Sequence, residues 1–395
     1  MTTPAATGAQ PHVLFIDDDD RISPALLDQA LRGYDLSVRL RHPEEAFADD
    51  LAWADLVVID YFLTHWAERD ETDSVARSPK DGLAVAATMR STLLPSLADR
   101  YPGAVLQRPV AFAVWSGHLS EASFGLPDVV LPHVFSRENN LEWVFRREAL
   151  FAPEGGIQLS ALAKAVTSLP EHWSNQVGEP ERQLWQLLRL DSGAAPWAPE
   201  AEAEVLDCRP QLHELSERSH GLVLLRWLLH RIFPYPCFLL DEQQLCARLR
   251  VDALTGGDAE TTDLRAELLP YEYTGALQGF PGLRWWRAGV EDWLFRMTNG
   301  DAGNSRAVAA LAVRHGARAE REWLHPVTVI AGDLRRVDRL VEVEETVRIR
   351  PDDWPPYADD AFALRSDAEE DPGLRALVQP ADRFLLDGRA WTGRA

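Results

Sequence analysis

Acidic residues follow two of the most apolar stretches of the chain. Asp17 and Asp18 come directly after 12–16 (HVLFI), and Asp60 closes the run VVI. Crowded carboxylates raise one another's pKa unless a cation lies between them. Mg²⁺ is the expected cation, because it binds carboxylate oxygens and keeps several of its waters. Such a site predicts phosphoryl chemistry, in which one carboxylate is the nucleophile and the metal and a basic side chain neutralise the phosphoryl oxygens.

Two further apolar runs end in a hydroxyl and in basic side chains. The run 110–115 (VAFAVW) precedes Ser116, and the run 141–145 (LEWVF) precedes Arg146 and Arg147. Functional groups of a parallel α/β sheet collect at the carboxyl ends of its strands. We therefore expect three carboxylates, a hydroxyl and a cation to meet at one edge of a sheet.

The elements that would position these groups alternate between strand and helix. Short apolar runs indicate buried strands, and apolar residues at helical spacing indicate helices. The strands are predicted at 12–16, 56–59, 110–115 and 141–145, and the helices at 22–31, 81–93 and 159–169. This alternation predicts an α/β domain with a parallel sheet.

These residues resemble the receiver domain of two-component response regulators, over about residues 11–170. The likeness rests on VLFIDD, VVID, DGLAVAATMR and VWSG. It implies a doubly wound parallel sheet of the flavodoxin-like type, in which a partner histidine kinase phosphorylates Asp60. It also implies that Asp17 and Asp18 hold Mg²⁺ together with Asp60, and that Ser116 is the switch hydroxyl that binds the phosphoryl group. The domain would be a phosphoacceptor in signal transduction rather than a turnover enzyme.

The chain departs from this family at the basic residue. Receivers usually carry a lysine before a proline at the end of the last strand, but neither lysine of this chain ends a predicted strand. If the last strand ends at HVFS, the basic residue is Arg137. If it ends at LEWVF, the basic residue is Arg146. The second is preferred because it leaves 159–169 as the last helix and puts Trp143, as the switch aromatic, three residues before Arg146. Arginine keeps the charge of lysine but not its geometry, so we expect slow or altered phosphorylation.

A long segment, 61–80, separates Asp60 from the dipeptide Asp81-Gly82. It can be a lid, a partner-docking loop or tolerated length, since each doubling of a surface loop costs only about 0.6 kcal/mol. We expect its aromatic start, 61–66, to pack on the domain and its acidic middle to lie over the site.

Two other functions fit parts of the pattern. A degenerate receiver would be a phosphorylation-independent scaffold for protein interaction. A haloacid-dehalogenase-type phosphatase would use Asp17 and Asp19 as its D-x-D motif, with Ser116 at a strand end. Arg21 argues against the phosphatase, because those enzymes usually have a threonine or valine at this position after the D-x-D motif.

Composition limits the partners and the compartment. The formal net charge of the 395 residues is −22, and no basic run marks a nucleic-acid surface, although a local basic patch is not excluded. No apolar run approaches the roughly 20 residues needed to span a bilayer. There is no signal-like N-terminus, and three cysteines without a CxxC pair indicate a reducing cytoplasm. The sequence leaves homodimerisation open.

Residues 171–395 resemble no family, so the sequence does not identify the output of the protein. It does not identify the kinase either. The predicted division is a receiver-like domain (1–170), a connector (171–206), a helical effector region (207–322) and a small β-rich unit (323–395). Helices are predicted at 182–190, 212–232, 241–251 and 284–297, and strands at 327–330, 339–349 and 383–386. The cysteines and histidines match no zinc pattern.

Overall fold

The computed structural model describes residues 10–66, 81–93, 108–119, 125–174, 176–190, 195–215, 221–254 and 264–386. The acidic middle of the predicted loop, 67–80, lies outside these ranges. Within them, no helix is both long enough and apolar enough to cross a membrane.

The N-terminal part alternates strands and helices as predicted. In chain order its elements are β1 (His12–Ile16), α1 (Pro24–Ala30), β2 (Ser37–Arg41), α2 (Ala48–Trp53), β3 (Leu56–Asp60), α3 (Gly82–Thr92), β4 (Ala111–Ser116), α4 (Leu131–Glu138), β5 (Trp143–Arg146), α5 (Arg147–Leu150), α6 (Pro153–Thr167) and α7 (Glu179–Leu188). Strands β1 to β5 form a parallel sheet in the order β2-β1-β3-β4-β5. This is the predicted doubly wound, flavodoxin-like fold.

Strand burial explains which strands the sequence revealed. Every residue of β3 and β4 is buried, and continuous apolar runs are typical of parallel strands that are covered on both faces. Strand β2 was not predicted, because SVRLR is not a continuous apolar run. It alternates apolar with polar residues, and the strand lies half-buried at the sheet edge. The order places β1 and β3, which carry the aspartates, side by side.

The C-terminal part mixes helices with small sheets. Its elements are α8 (Ala198–Asp207), α9 (Leu222–Trp227), β6 (Leu239–Leu240), α10 (Glu242–Leu249), α11 (Leu264–Leu268), β7 (Trp285–Trp286), α12 (Arg287–Met297), α13 (Ser305–Arg314), β8 (Pro326–Ile330), β9 (Arg336–Glu342), β10 (Thr346–Ile349), β11 (Ala361–Leu364), α14 (Arg365–Glu370), α15 (Pro372–Leu377) and α16 (Arg383–Leu386). A four-stranded mixed sheet has the order β10-β11-β8-β9, and β6 pairs with β7. The predicted helical region and small β-rich unit are therefore present.

Several local predictions in this part were wrong. Trp285 and Trp286 form a strand before the helix rather than its first turn, and 383–386 is helical rather than extended. The predicted helix 212–232 consists of a 3₁₀ turn, the short α9 and a π-helical segment, Leu228–Ile232, with 216–220 outside the described residues. Short apolar runs fit either period, so tertiary packing decides between them.

The chain divides into two compact units. Unit 1 comprises Met1–Leu187, Gln211–Leu229 and Gly279–Pro281, and unit 2 comprises Leu188–Pro210, His230–Gln278 and Gly282–Ala395. Two segments that are distant in sequence thus complete the unit that contains the parallel sheet. The four-part division proposed from the sequence stays a prediction.

A buried ion pair ties one of these segments to the sheet of unit 1. Glu142, which is fully buried, accepts a hydrogen bond from the backbone N–H of Phe112 at 2.5 Å. Its other oxygen accepts hydrogen bonds from Nε and Nη2 of Arg226, on α9, at 2.9 and 2.7 Å. The second segment contributes Phe280, whose ring packs against that of Trp143 with centroids 4.9 Å apart.

Replacing Arg226 by methionine should lower the free energy of unfolding by about 3 kcal/mol, because the buried Glu142 would lose its charge partner. The double variant Glu142→Gln/Arg226→Met should recover much of this loss. Arg182→Gln is the matched control, because it breaks an exposed pair with Glu179 and should change the free energy of unfolding far less. Urea denaturation measures all three. Equal losses for Arg226→Met and Arg182→Gln would show that the buried pair does not hold the segment.

Candidate functional site

Three aspartates meet at the carboxyl edge of the parallel sheet, as predicted. Asp17 and Asp18 follow β1, and Asp60 is the last residue of the neighbouring β3. All three are buried, and one carboxylate oxygen of each lies within 4.8 Å of the others. We call these three residues the acidic cluster.

Arg147 supplies the positive charge of the site. It is the first residue of α5, and its Nη2 lies 2.9 Å from Oδ2 of Asp17 and 3.0 Å from Oδ2 of Asp60. Its Nη1 lies 3.3 Å from Oδ2 of Asp19, and its guanidinium carbon stands 4.9 Å from the ring centroid of Trp115. One guanidinium therefore bridges two members of the acidic cluster.

The prediction that Arg146 approaches Asp60 is wrong by one residue. Arg146 is the last residue of β5, and its guanidinium pairs with exposed Asp128 at 2.9 Å. Side chains alternate between the two faces of a strand, so the residue after Arg146 leaves on the other side as the chain turns into α5. The predicted strand was the right one, but its last residue, Arg146, points away from Asp60, and the next residue, Arg147, reaches it.

The alternative register through Arg137 is also wrong. The segment HVFS lies inside α4, and Arg137 belongs to the last turn of that helix rather than to a strand end. The predicted switch aromatic, Trp143, opens β5 and packs against His133 of α4, with ring centroids 5.1 Å apart. It therefore lies at the start of the strand, whereas Arg147 follows its end.

Ser116 ends β4, the strand beside β3, where the sequence placed it. Its side chain is buried, and its Oγ accepts a hydrogen bond from the backbone N–H of His118 at 3.0 Å. In the sheet register Asp60 lies opposite Trp115, so Ser116 stands one position further toward the carboxyl edge. Its role as a switch hydroxyl stays a prediction.

The dipeptide Asp81-Gly82 starts α3 directly against the end of β3. Asp81 caps the helix by accepting a hydrogen bond from the N–H of Ala84 at 2.9 Å. A Cβ atom on Gly82 would lie 2.1 Å from the carbonyl oxygen of Asp60, so a larger residue would push the helix away. After the long insertion, α3 thus begins in contact with the backbone of Asp60.

The start of the insertion packs on the domain, as predicted. Leu63 is buried, and the ring of Tyr61 contacts that of Phe135 with centroids 5.7 Å apart. The backbone N–H of His65 donates a hydrogen bond to Oδ2 of Asp18 at 2.5 Å. The loop therefore supplies a polar contact to the acidic cluster, which the sequence gave no way to foresee.

Burial and repulsion between carboxylates shift Asp17 and Asp60 toward protonation. Burial, followed by the charge of Asp17, raises the pKa of Asp60 to about 7, although Arg147 opposes the shift. Burial likewise raises the pKa of Asp17 to about 6, against the hydrogen bond from the Asp19 backbone and the charge of Arg147. A single guanidinium therefore does not fully compensate the cluster.

The donor set of the acidic cluster fits a hard divalent cation. Only carboxylate oxygens are offered, which is what Mg²⁺ prefers. Oδ1 of Asp18 is buried and has no hydrogen-bond partner among the described residues. An unpaired buried carboxylate oxygen is costly, and a metal ligand role would satisfy it.

Comparisons with known proteins add little to this picture. No protein-family model and no curated protein matches the sequence. A structure of the Salmonella typhimurium RcsB response regulator is 12% identical, with a TM-score of 0.23 over 55% of this chain and 92% of that chain. Another, of two RcsB dimers bound to two parallel DNAs, is 13% identical with the same TM-score and coverage. TM-scores this low carry no weight, so function has to be inferred from the sheet order and the acidic cluster.

The raised pKa of Asp60 predicts a pH-dependent effect of Asp60→Asn. The unfolded carboxyl ionises near 3.8 and the folded one near 7, so ionisation of Asp60 destabilises the fold as the pH rises through this window. Asp60→Asn should therefore stabilise the protein more at pH 8 than at pH 5, by about 3 kcal/mol, because about two pH units of that interval lie below the folded pKa and each is worth about 1.4 kcal/mol. Denaturant unfolding at both pH values measures it.

Asp28→Asn, an exposed carboxyl on α1, is the control and should show no such pH dependence. A constant difference between Asp60→Asn and the unchanged protein at pH 5 and pH 8 would mean that Asp60 is not held in a desolvated, like-charged site.

Proposed function

We propose that unit 1 is a receiver-type phosphoacceptor domain, and that Asp60 takes the phosphoryl group. The observation that supports this most directly is the Asp60 carboxylate at the end of a buried parallel strand, in reach of two further carboxylates and of the Arg147 guanidinium. A histidine kinase would be the physiological phosphodonor, and a change of state in unit 1 would control an output of the C-terminal region.

The reaction would be a displacement at phosphorus. A carboxylate oxygen of Asp60 forms a bond to phosphorus as the bond from phosphorus to the leaving group breaks. Mg²⁺ held by Asp17, Asp18 and Asp60 would supply positive charge to the phosphoryl oxygens. Arg147 is close enough to Asp60 to transfer its hydrogen bonds from the carboxylates to a phosphoryl oxygen. The Ser116 hydroxyl, at the end of the adjacent strand, would bind another.

Arginine in this position changes the chemistry expected from a lysine. A guanidinium has five donors in a rigid plane, so it can bind carboxylates and a phosphoryl group in a fork-like geometry. Here it already contacts Asp17, Asp19 and Asp60, and it has to give up some of these contacts to serve a phosphoryl group. We therefore expect slower phosphorylation than a lysine would give.

The same contacts favour a second candidate function. A guanidinium that bridges Asp17 and Asp60 stabilises the fold without a metal, which suits a scaffold that binds partners without phosphorylation. The phosphatase alternative has less support, because Asp19, its acid in the D-x-D motif, is held by Arg21 through Nε and Nη2 at 2.9 and 2.7 Å.

Incubation of the full chain with acetyl phosphate and Mg²⁺ should add one phosphoryl group at Asp60, measured by intact mass and peptide mapping. Asp60→Asn should abolish the addition. Arg147→Gln should slow it by about 100-fold, as expected when a donor to a developing charge is lost. Arg146→Gln, its neighbour outside the acidic cluster, should leave the rate nearly unchanged.

Three results would count against this function. No mass gain on the unchanged chain would favour the scaffold, turnover of p-nitrophenyl phosphate would favour the phosphatase, and equal effects of Arg146→Gln and Arg147→Gln would remove Arg147 from the site. Arg147→Lys keeps the charge, so it controls for loss of the fold, and it should be phosphorylated at least as fast as the unchanged chain.

A further inference from the structure

Unit 2 contains an open groove of about 840 Å³ between α10, α12 and β8, which we call the unit 2 groove. Its size falls in the range of small-molecule sites, which extend from about 300 to 1,000 Å³. No residue of the acidic cluster lies in it, and its lining comes only from unit 2.

The acidic side chains of the unit 2 groove are already neutralised. Arg248 lies 3.1 Å from Glu291 and 3.3 Å from Asp359, which Arg287 also approaches at 3.1 Å. The third carboxylate of the lining, Asp360, has Arg348 at 3.8 Å and accepts a hydrogen bond from Gln379 at 2.9 Å. Each acid on the groove wall therefore has an arginine nearby.

Arg250 is the cation of the groove wall without such a partner among the described residues. It caps the C-terminus of α10, and it is half-buried. Its Nε atom is fully buried and has no hydrogen-bond partner in the described part of the chain. Glu342 attracts it, but the two carboxylate oxygens of Glu342 accept hydrogen bonds from the N–H groups of Leu324 and His325, both at 2.8 Å.

Leaving the buried Nε of this half-buried guanidinium without a hydrogen-bond partner is unfavourable. Burial of Arg250 lowers its pKa, the charge of Arg248 acts in the same direction, and the charge of Glu342 opposes both. Arg250 lines the groove, so the oxyanion of a ligand in the groove would meet its half-buried guanidinium, and a guanidinium binds planar oxyanions with paired hydrogen bonds.

The rest of the unit 2 groove is largely apolar. Leu240, Leu294, Phe295, Val327 and Phe362 contribute to its wall. Phe295 is 58% exposed, which is high for a large aromatic side chain in a concave surface. An inorganic anion would leave this wall in water, whereas an apolar group attached to the anion would cover it.

We infer that the unit 2 groove binds a small organic anion with an apolar body, whose oxyanion pairs with Arg250. Charge complementarity selects the anionic end, and the apolar wall selects the remainder. This ligand class belongs to unit 2 and does not depend on phosphorylation of Asp60. It would make the C-terminal region a ligand-responsive module.

The probe 8-anilinonaphthalene-1-sulfonate has the expected chemistry, a sulfonate on an aromatic body, and its fluorescence rises in apolar sites. The full chain should bind it saturably with one site, and decanoate should displace it, whereas 1-decanol at the same concentration should not. Arg250→Gly should raise the dissociation constant at least about tenfold, because a charge-assisted hydrogen bond is lost.

Arg250→Gly is chosen because Arg250 has φ 59°, in the left-handed region where glycine carries no steric penalty, so the fold should be kept. Arg314→Gln, an exposed arginine at the end of α13, removes the same charge from unit 2 and should leave binding unchanged. Equal binding in Arg250→Gly and the unchanged chain would overturn the inference. Displacement by phosphate as effective as by decanoate, or by 1-decanol as effective as by decanoate, would overturn it as well.

Discussion

The bridge from Arg147 to Asp17 and Asp60 is the interaction on which the sheet edge of unit 1 depends. Three buried carboxylates within 4.8 Å of one another would repel strongly without a cation. The guanidinium supplies a single charge, and the pKa values of Asp17 and Asp60 still lie above the usual range of a carboxyl. The site is therefore short of positive charge, and a divalent cation or a partly protonated carboxyl has to make up the difference.

The chain also packs closely around Asp60. Gly82 has no Cβ atom, and this lets α3 begin directly against the backbone of Asp60. The insertion between them contributes the N–H of His65 to Asp18 and packs Leu63 into the domain.

Unit 1 is not a continuous stretch of sequence. It includes Gln211–Leu229 and Gly279–Pro281, and Arg226 from the first of these holds the buried Glu142. A fragment that stops at residue 170 would lack that charge partner and the ring of Phe280. For this reason, experiments on Asp60 need the full chain rather than residues 1–170 alone.

The sequence predicted which kinds of side chain meet at the sheet edge, but it did not predict the exact residue that supplies the positive charge. Asp17, Asp18, Asp60 and Ser116 could be placed because apolar runs mark buried strands, and parallel strands end at a common edge. The basic residue was predicted as Arg146 rather than Arg137, and the true residue, Arg147, depends on where β5 ends. Strand β2 was missed because its edge position allows charged residues, and the contacts of Arg226 and the unit 2 groove arise from tertiary packing that no local pattern encodes.

The most direct measurement is ¹⁹F NMR of the full chain with beryllium fluoride, which mimics an acyl phosphate by bonding to a carboxylate. If Asp60 is a phosphoacceptor assisted by a divalent cation, bound fluoride resonances should appear with Mg²⁺, vanish with a chelator and be absent from Asp60→Asn. Resonances that persist in Asp60→Asn, or a chain that gives none at saturating Mg²⁺ and beryllium fluoride, would contradict this account of the site.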